Sequence, residues 1–377
     1  MIFKKPLAKI LNAVTDKPIN EKTLTIMDIT VTLIGTLATI VGILVALRFG
    51  LISSIVIAIC ILAVIPIVFL LIRMITPNTN FPYTPWTPVT SPRFVGRKKL
   101  INQLAHSLNN NESISLIGDR RIGKTSVLKT WEQMVRQKRE VLYITGEEAE
   151  ASNLALFVNK ITQQQAVDEP EEAANLLSEW AQTVKAQTKF PPLILVDEAE
   201  RFIAKFPPRF FERLRGMLGR VVWVFASRED IDLIYKRFHS TTSPFENRLQ
   251  ILRLRLLEAE AAEEIISWGD FSAEVAAQMR VWAGRHPFFL QLLGRCLLEA
   301  QGDKNIQTAL DEFQTEAAIR LRRVWSHLKE KEQSALKQYV TGQPLTLQSL
   351  RTRGLVTEDG ELFGKVLAEW LREGEFE

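Results

Sequence analysis

Apolar positions follow different rhythms along this chain, and each rhythm marks a different kind of element. From Ile29 to Leu47, and again from Leu51 to Ile72, no charge interrupts runs of 19 and 22 residues. A helix of that length crosses a hydrocarbon core of about 30 Å. The connection Arg48-Phe49-Gly50 is too short to hold a domain, so the two runs predict a transmembrane α-hairpin over residues 29–75. Beyond it the runs shorten. Ile114–Ile117, Val141–Thr145, Leu193–Val196 and Val221–Ala226 read as buried strands, and Leu249–Leu254, with its alternating arginines, as a fifth. Helical stretches fall between them, at Ser126–Met134, Asn153–Gln164, Glu171–Ala186 and Phe206–Leu218. Strands alternating with helices predict an α/β fold, a parallel sheet covered on both faces.

The stretch TPNTNFPYTPWTPVTSP joins these two regions. Five prolines between Thr76 and Pro92 predict an extended, stiff spacer over residues 76–93. Phe81, Tyr83 and Trp86 lie in it, either at a membrane interface or docked on the domain that follows. In the first span Asp28, Thr32, Gly35, Thr39, Gly42 and Ala46 make a small-and-polar stripe. Such a stripe suits close helix packing, within the hairpin or between protomers.

Charge sharpens the picture. The chain of 377 residues carries a net +4. The first 73 residues hold seven basic and three acidic side chains, and the rest balances at 40 against 40. The excess therefore belongs to the hairpin and its flanks. Lysines before the first span and Arg73 after the second predict both termini on the cytoplasmic side of the cell (inner) membrane. Residues 1–28 then form a basic cytoplasmic tail able to contact anionic lipid. A neutral remainder weighs against nucleic acid as a partner. Two cysteines exclude a disulfide scaffold.

Candidate chemistry sits in the α/β region. Gly118-Asp-Arg-Arg-Ile-Gly123-Lys124-Thr125 fits G-x-x-x-x-G-K-[ST] between a strand and a helix, the context that a phosphate-binding loop requires. The loop, with Ile122 and Ser126 beside it, is assigned to ATP or ADP. Lys124 is expected to reach the β- and γ-phosphates, and the Thr125 hydroxyl to ligate Mg²⁺. The strand before Asp197-Glu198 supplies a second element. Asp197 is placed to hold the Mg²⁺ shell, and Glu198 to polarise the attacking water. Ser227 and Arg228 end the fourth strand, either facing the γ-phosphate or serving as a helix cap and a surface charge. Arg120, Arg121 and Arg248 are open as charge stabilisers or as structural ion-pair partners.

The series FVGRKK, GDRRIGKT, LILVDE, FASR, SPFENRLQILRL and GRHPFFLQLL resembles the STAND branch of the AAA-related P-loop ATPases, the archaeal-ATPase and NACHT-like group. The resemblance runs from about Phe94 to the C-terminus. It implies an ATPase core over 94–256, a helical lid over 257–320 and a winged-helix-like domain over 321–377. It implies that Val95, Gly96 and Pro287 bind nucleotide, and that Ser227 and Arg228 form a polar sensor. In the last region Ser326–Val340, Leu345–Arg353 and Val366–Arg372 read as helices, with a β-wing near Asp359-Gly360. No repeat array is visible up to Glu377, and no His-Asp pair is evident near the wing. The expected function is a membrane-anchored, nucleotide-dependent switch that hydrolyses ATP slowly and controls homo-oligomerisation or signalling, with defence as one expected setting. Membrane lipid, a second copy of the chain and an unidentified protein or ligand trigger are the expected partners. A membrane-bound transcription regulator and an anchor with a vestigial ATPase are the alternatives.

Overall fold

The computed structural model describes residues 82–148, 150, 153–165, 168–245, 247–300, 305–374 and 376. The chain forms two units, residues 1–80 and residues 81–377. The basic tail, the hairpin and the spacer up to residue 81 lie outside the described residues. Among the described residues, no helix is long and apolar enough to cross a membrane.

The second unit is built on a five-stranded sheet. In chain order its first elements are α1 (Lys98–Asn109), β1 (Ile114–Ile117), α2 (Lys124–Val135), β2 (Val141–Thr145), α3 (Leu154–Thr162), α4 (Pro170–Thr188) and β3 (Leu193–Asp197). They are followed by α5 (Ala199–Lys205), α6 (Pro208–Gly216), β4 (Val222–Ser227), α7 (Ile231–His239) and β5 (Gln250–Arg253). The spatial order is β2-β3-β4-β1-β5, and every neighbouring pair is parallel. Successive side chains of a strand point to opposite faces. Accordingly Leu193, Leu195, Val222 and Val224 enter one core with Leu104, Leu128 and Trp131. Ile194, Val196, Trp223 and Phe225 enter the other, among Phe157, Phe202, Phe206, Phe210 and Phe211. Helices thus cover both faces, which is why the central strands read as unbroken apolar runs.

Seven helices follow: α8 (Ala259–Ser267), α9 (Ala273–Ala283), α10 (Pro287–Glu299), α11 (Ile306–Trp325), α12 (Glu330–Val340), α13 (Gln348–Arg353) and α14 (Lys365–Glu373). A single cluster, from Leu257 to Leu371, forms their core. The expected lid and the expected winged-helix-like domain therefore share one interior, and α11 runs unbroken through residue 320. The helix expected from Ser326 begins only at Glu330, because Ser326–Lys329 form a turn capped by Glu332, whose carboxylate accepts the Lys329 N–H at 2.9 Å. The wing is reduced to one antiparallel bridge, Val356 with Leu362.

Of the two places open to the spacer's rings, Tyr83 and Trp86 take the one on the domain that follows, and Phe81 lies outside the described residues. Tyr83 is 1% exposed, and its hydroxyl donates to the carbonyls of Ile265 (3.0 Å) and Ile266 (3.1 Å) in α8. Its ring lies against Gly294 of α10. Trp86 packs edge-on against Phe288, with centroids 5.6 Å apart. Residues 82–93 are thus docked on the helices, since apolar rings between the prolines gain more by burial than a stiff spacer gains by extension.

Candidate nucleotide site

The loop between β1 and α2 lies at the C-terminal edge of the sheet. Gly118 N–H donates to the Ser227 carbonyl at 3.1 Å, so the loop starts in register with β4. Arg121 and Gly123 are left-handed, with φ 62° and 103°. At Gly123 a Cβ would meet nothing within 4 Å, so the turn itself favours glycine there rather than crowding. α2 begins at Lys124, which brings its unpaired first N–H groups and positive dipole end to the loop. Lys124 Nζ donates to the carbonyls of Gly118 (2.8 Å) and Asp119 (3.1 Å). Burial lowers its pKa, opposed by Glu200 and Asp197.

The acidic strand end lies beside the loop. Thr125 Oγ1 donates to Asp197 Oδ2 at 2.6 Å, and the Tyr143 hydroxyl donates to the same oxygen at 2.9 Å. Asp197 Oδ1 accepts the Glu198 N–H at 3.0 Å. These are hard oxygen donors of the kind Mg²⁺ takes. Among the described residues no three His, Cys, Asp or Glu side chains are arranged to hold a metal. A Mg²⁺ ion on such a loop takes one or two carboxylates and completes its shell with phosphates and water, so Thr125 with Asp197 fits that role. Glu198 has φ 49° and ψ 48°, a costly conformation for a residue with a Cβ. Burial raises its pKa, and Glu147 adds to the effect. A carboxylate held in that state is suited to accepting a proton from water.

A cavity of about 100 Å³ adjoins the loop. Val95, Ile122, Gly123, Ser126 and Pro287 line it together with Trp268. The docked spacer completes the wall with Thr84, Pro85, Thr87 and Val89. Thr84 N–H donates to Gln291 Oε1 (2.8 Å) and Val89 N–H to Ser126 Oγ (3.0 Å). An apolar cleft beside a phosphate loop is the shape that a nucleobase needs.

The remaining predicted residues fall as follows. Gly96 is absent from the cavity lining. With φ 68° it turns the chain so that its backbone packs on Ala261 of α8, where a Cβ would meet the Ala261 Cβ at 2.5 Å. Ser227 is fully buried, and its hydroxyl donates to the Glu229 carbonyl at 2.6 Å. It neither caps α7, whose cap is Asp230, nor turns its hydroxyl to the loop, because the nearer acceptor claims it. Arg228 N–H donates to Glu200 Oε1 at 2.6 Å. Its charge opposes those of Lys124 and Arg120, which places Arg228 near the phosphate side. Arg248 is exposed just ahead of β5. In a parallel sheet that is the edge opposite the loop, so it is no stabiliser of this chain's own site.

Two brackets around the site were given no role by the motifs. Arg97, left-handed at φ 61°, is 5% exposed. Its guanidinium donates to the carbonyls of Leu256 (2.9 Å) and Ile122 (3.2 Å), and its N–H to Glu258. Burial lowers its pKa to about 10, against the pull of Glu258. Arg353 of α13 donates to Asp119 of the loop (3.1 Å) and to Glu332 of α12 (3.0 Å). The only sequence signal for either was an arginine next to a motif or at the end of a short helix.

A family model described as AAA domain matches residues 106–234. The fold is similar to that of the Walker-type ATPase of Pyrococcus abyssi, with TM-score 0.53 and 14% identity over 75% of this chain and 97% of that one. It is similar also to the ORC2 protein of Aeropyrum pernix in its ADPNP-ADP complexes, with TM-score 0.50 and 14% identity over 76% and 96%. At this identity the likeness is one of fold. No curated protein matched the chain. The strand order, the loop geometry and the matched model together make this a chain with an AAA-type P-loop ATPase domain.

Proposed function

We propose that the protein is a membrane-anchored, nucleotide-dependent switch of the STAND type, which binds ATP or ADP with Mg²⁺ and hydrolyses ATP slowly. The observation that carries the reading is the wall shared between the nucleobase cavity and the docked spacer. Val89 N–H on Ser126 Oγ and Thr84 N–H on Gln291 tie the spacer to both sides of that cavity. The same spacer leads back to the two uncharged runs of the N-terminal region. Nucleotide entering or leaving the cavity would therefore act directly on the segment next to the hairpin, with the chain at the cytoplasmic face of the inner membrane. Release of the spacer or of the helical unit would expose surface for assembly with further copies, under control of a protein or ligand trigger. The ORC2 protein of similar fold was solved with ADPNP and ADP, which supports this choice of ligand.

In the mechanism, Thr125 and Asp197 would hold Mg²⁺, which would supply charge neutralisation at the phosphates. The protein's own groups do the remainder. Lys124 exchanges its two loop carbonyls for phosphate oxygens. Glu198 orients water and accepts its proton. Tyr143 holds the Asp197 carboxylate in place.

The winged-helix-like reading of 321–377 serves packing better than DNA binding. α13 has only six residues, its Leu350 is buried, and Arg353 is spent on Asp119 and Glu332. The test uses the full chain in detergent. Lys124→Ala should abolish ADP and ATP binding in titration calorimetry and leave the protein in one assembly state. Wild-type affinity in that variant, with assembly unchanged by nucleotide in the wild type, would refute the switch.

A further inference from the structure

A cavity of about 50 Å³ lies on the other side of Arg121 and Phe288 from the nucleobase cavity. Five arginines line it, Arg120 and Arg121 from the loop, Arg320 and Arg323 from α11, and Arg353 from α13. Asp119 is the only acid in the lining. That carboxylate, with Glu332, is already engaged by Arg353. Among the described residues, Arg120, Arg121, Arg320 and Arg323 have no carboxylate within ion-pair distance. The Nε atoms of Arg120 and Arg320 are buried without a hydrogen-bond partner. Arg320 and Arg323 are three residues apart on a helix and so share a face.

Unpaired like charges held together on separate elements repel, and an unsatisfied buried donor is costly. The four side chains nevertheless converge, and they are held by packing rather than by counter-charge. Arg320 lies over the Trp86 ring at 4.6 Å, and Arg121 lies over Trp86 and Phe288 at 5.8 and 5.4 Å. The rings hold the guanidinium groups of Arg121 and Arg320 by their faces, which leaves the N–H edges to other partners. Arg120 and Arg121 both have lowered pKa values, through burial first and then through Arg228 for the one and Arg320 for the other. A water fills about 30 Å³, so the space takes one compact oxyanion, and planar guanidinium donors match phosphoryl oxygens in pairs.

We propose that this arginine cavity is a binding site for a phosphoryl anion, which ties α11 to the phosphate loop. The proposal rests on the nucleotide reading above for one of its two sources. The anion is either the terminal phosphate of a bound nucleoside triphosphate or a separate inorganic phosphate. The lining includes Asp119, Arg120 and Arg121 but omits Gly123, Lys124 and Thr125, so the site stands beside the main phosphate cradle and can fill independently of it. An anion here joins α11 to the phosphate loop, whose arginines otherwise repel, whichever source supplies it.

The experiment uses the full chain in detergent and phosphate-free buffer, titrated with ADP, with ADPNP, and with inorganic phosphate in the presence and absence of ADP. Arg323→Gln is the first variant, because this residue is exposed and has no ion-pair partner to lose. Arg320→Gln/Arg323→Gln is the second. Either variant should bind ADP as the wild type does and lose at least about tenfold in affinity for ADPNP relative to ADP, or for inorganic phosphate. The first loss assigns the terminal phosphate and the second a separate anion. Both variants should also melt at a higher temperature than the wild type without ligand, since repulsion is relieved, and gain less from the anion. Unchanged ADPNP and phosphate affinities in both variants would overturn the proposal. So would an equal loss of ADP affinity, which would make these arginines part of the nucleobase wall. If the wild type binds no ADP, the nucleotide reading fails separately, and the phosphate titration of the nucleotide-free chain still decides this one.

Discussion

Replacing Arg353 with Met tests the way the C-terminal helices are held to the phosphate loop. The three partners are nearly enclosed, with side-chain exposures of 11% for Arg353, 5% for Asp119 and 3% for Glu332. Met keeps most of the stem volume and removes the charge, leaving two buried carboxylates without their cation. Breaking a buried pair in this way costs about 3–5 kcal/mol. The lower end applies, because Asp119 still accepts the Arg120 N–H at 2.7 Å and Glu332 the Lys329 N–H at 2.9 Å. About 3 kcal/mol lowers the melting temperature of a unit this large by roughly 6 °C. The pH dependence has a definite sign. Burial is the largest influence on Glu332 and acts to raise its pKa, but the hydrogen bonds from Arg353, the Lys329 N–H and Ser349, with the Arg353 charge, together override it and the net shift is downward. The triad's contribution is therefore present above the ordinary carboxylate pKa and lost as pH falls through the folded value. Thermal melts of the full chain in detergent between pH 7 and pH 3 measure both effects. In Arg353→Met the wild-type advantage should be present at pH 7 and shrink toward pH 3. Proteolysis should also begin at the exposed turn 341–344 before the rest of the unit is cut. A loss below about 1 kcal/mol at pH 7, the worth of a surface pair, would refute the view that this triad anchors the helices.

Glu198→Gln should lower ATP hydrolysis by about 10²-fold or more while ADP affinity in calorimetry stays within twofold. In the wild type the acid limb of the hydrolysis profile should lie above the ordinary glutamate value, because burial and Glu147 raise the Glu198 pKa. Tyr83→Phe should cost about 1 kcal/mol by urea unfolding, through the loss of its bonds to Ile265 and Ile266. Tyr83→Ala should cost about 3–5 kcal/mol by leaving a cavity against Gly294. Equal and negligible effects of the two would mean that the spacer is not docked in solution. His286 is buried and its pKa is lowered to about 3, chiefly by desolvation and then by Arg97. The unfolded chain takes up a proton below about pH 6.5 that the folded one refuses, so stability should fall by about 1.4 kcal/mol per pH unit from there toward pH 3. His286→Asn should flatten that slope, and an unchanged slope would remove His286 from the account.

The parts of this fold that sequence revealed are those fixed by neighbours along the chain. Ile114–Ile117 and Val141–Thr145 were legible to the residue, because a buried parallel strand is a continuous apolar run bounded by polar turns. The phosphate loop was legible because phosphate binding constrains consecutive residues. The short helix Ala199–Lys205 was missed, since it follows directly on Asp197-Glu198 and its buried Ala199, Phe202 and Ile203 make too brief a periodic signal. Ser227 stays open in the sequence because a polar residue at a strand end looks alike whether its hydroxyl faces a ligand or its own backbone. Where the spacer's rings sit is open in the sequence for the same kind of reason. Proline content reports backbone stiffness, whereas what docks Tyr83 and Trp86 is a surface formed by residues some 180 to 200 positions away.

That separation also explains why the roles of the charged brackets are hidden in the sequence. Arg97, Arg320 and Arg353 each reach the loop or its flank from elements outside the sheet; Arg97 stands in FVGRKK without its bonds being readable there, and the other two pass for ordinary surface arginines in a linear reading. Their arrangement has a physical consequence. The seven helices after β5 share one core with Tyr83 of the spacer, so packed side chains favour their moving as one body. The polar ties of that body to the phosphate loop are few, with Arg353 on Asp119 foremost. Gly354 adds a close packing contact, since a Cβ there would come within 2.9 Å of Ile122. A rigid body with few charged attachments can be released by a small change at the loop, and Asp119, Arg120, Arg121 and Ile122 are where such a change would be felt first.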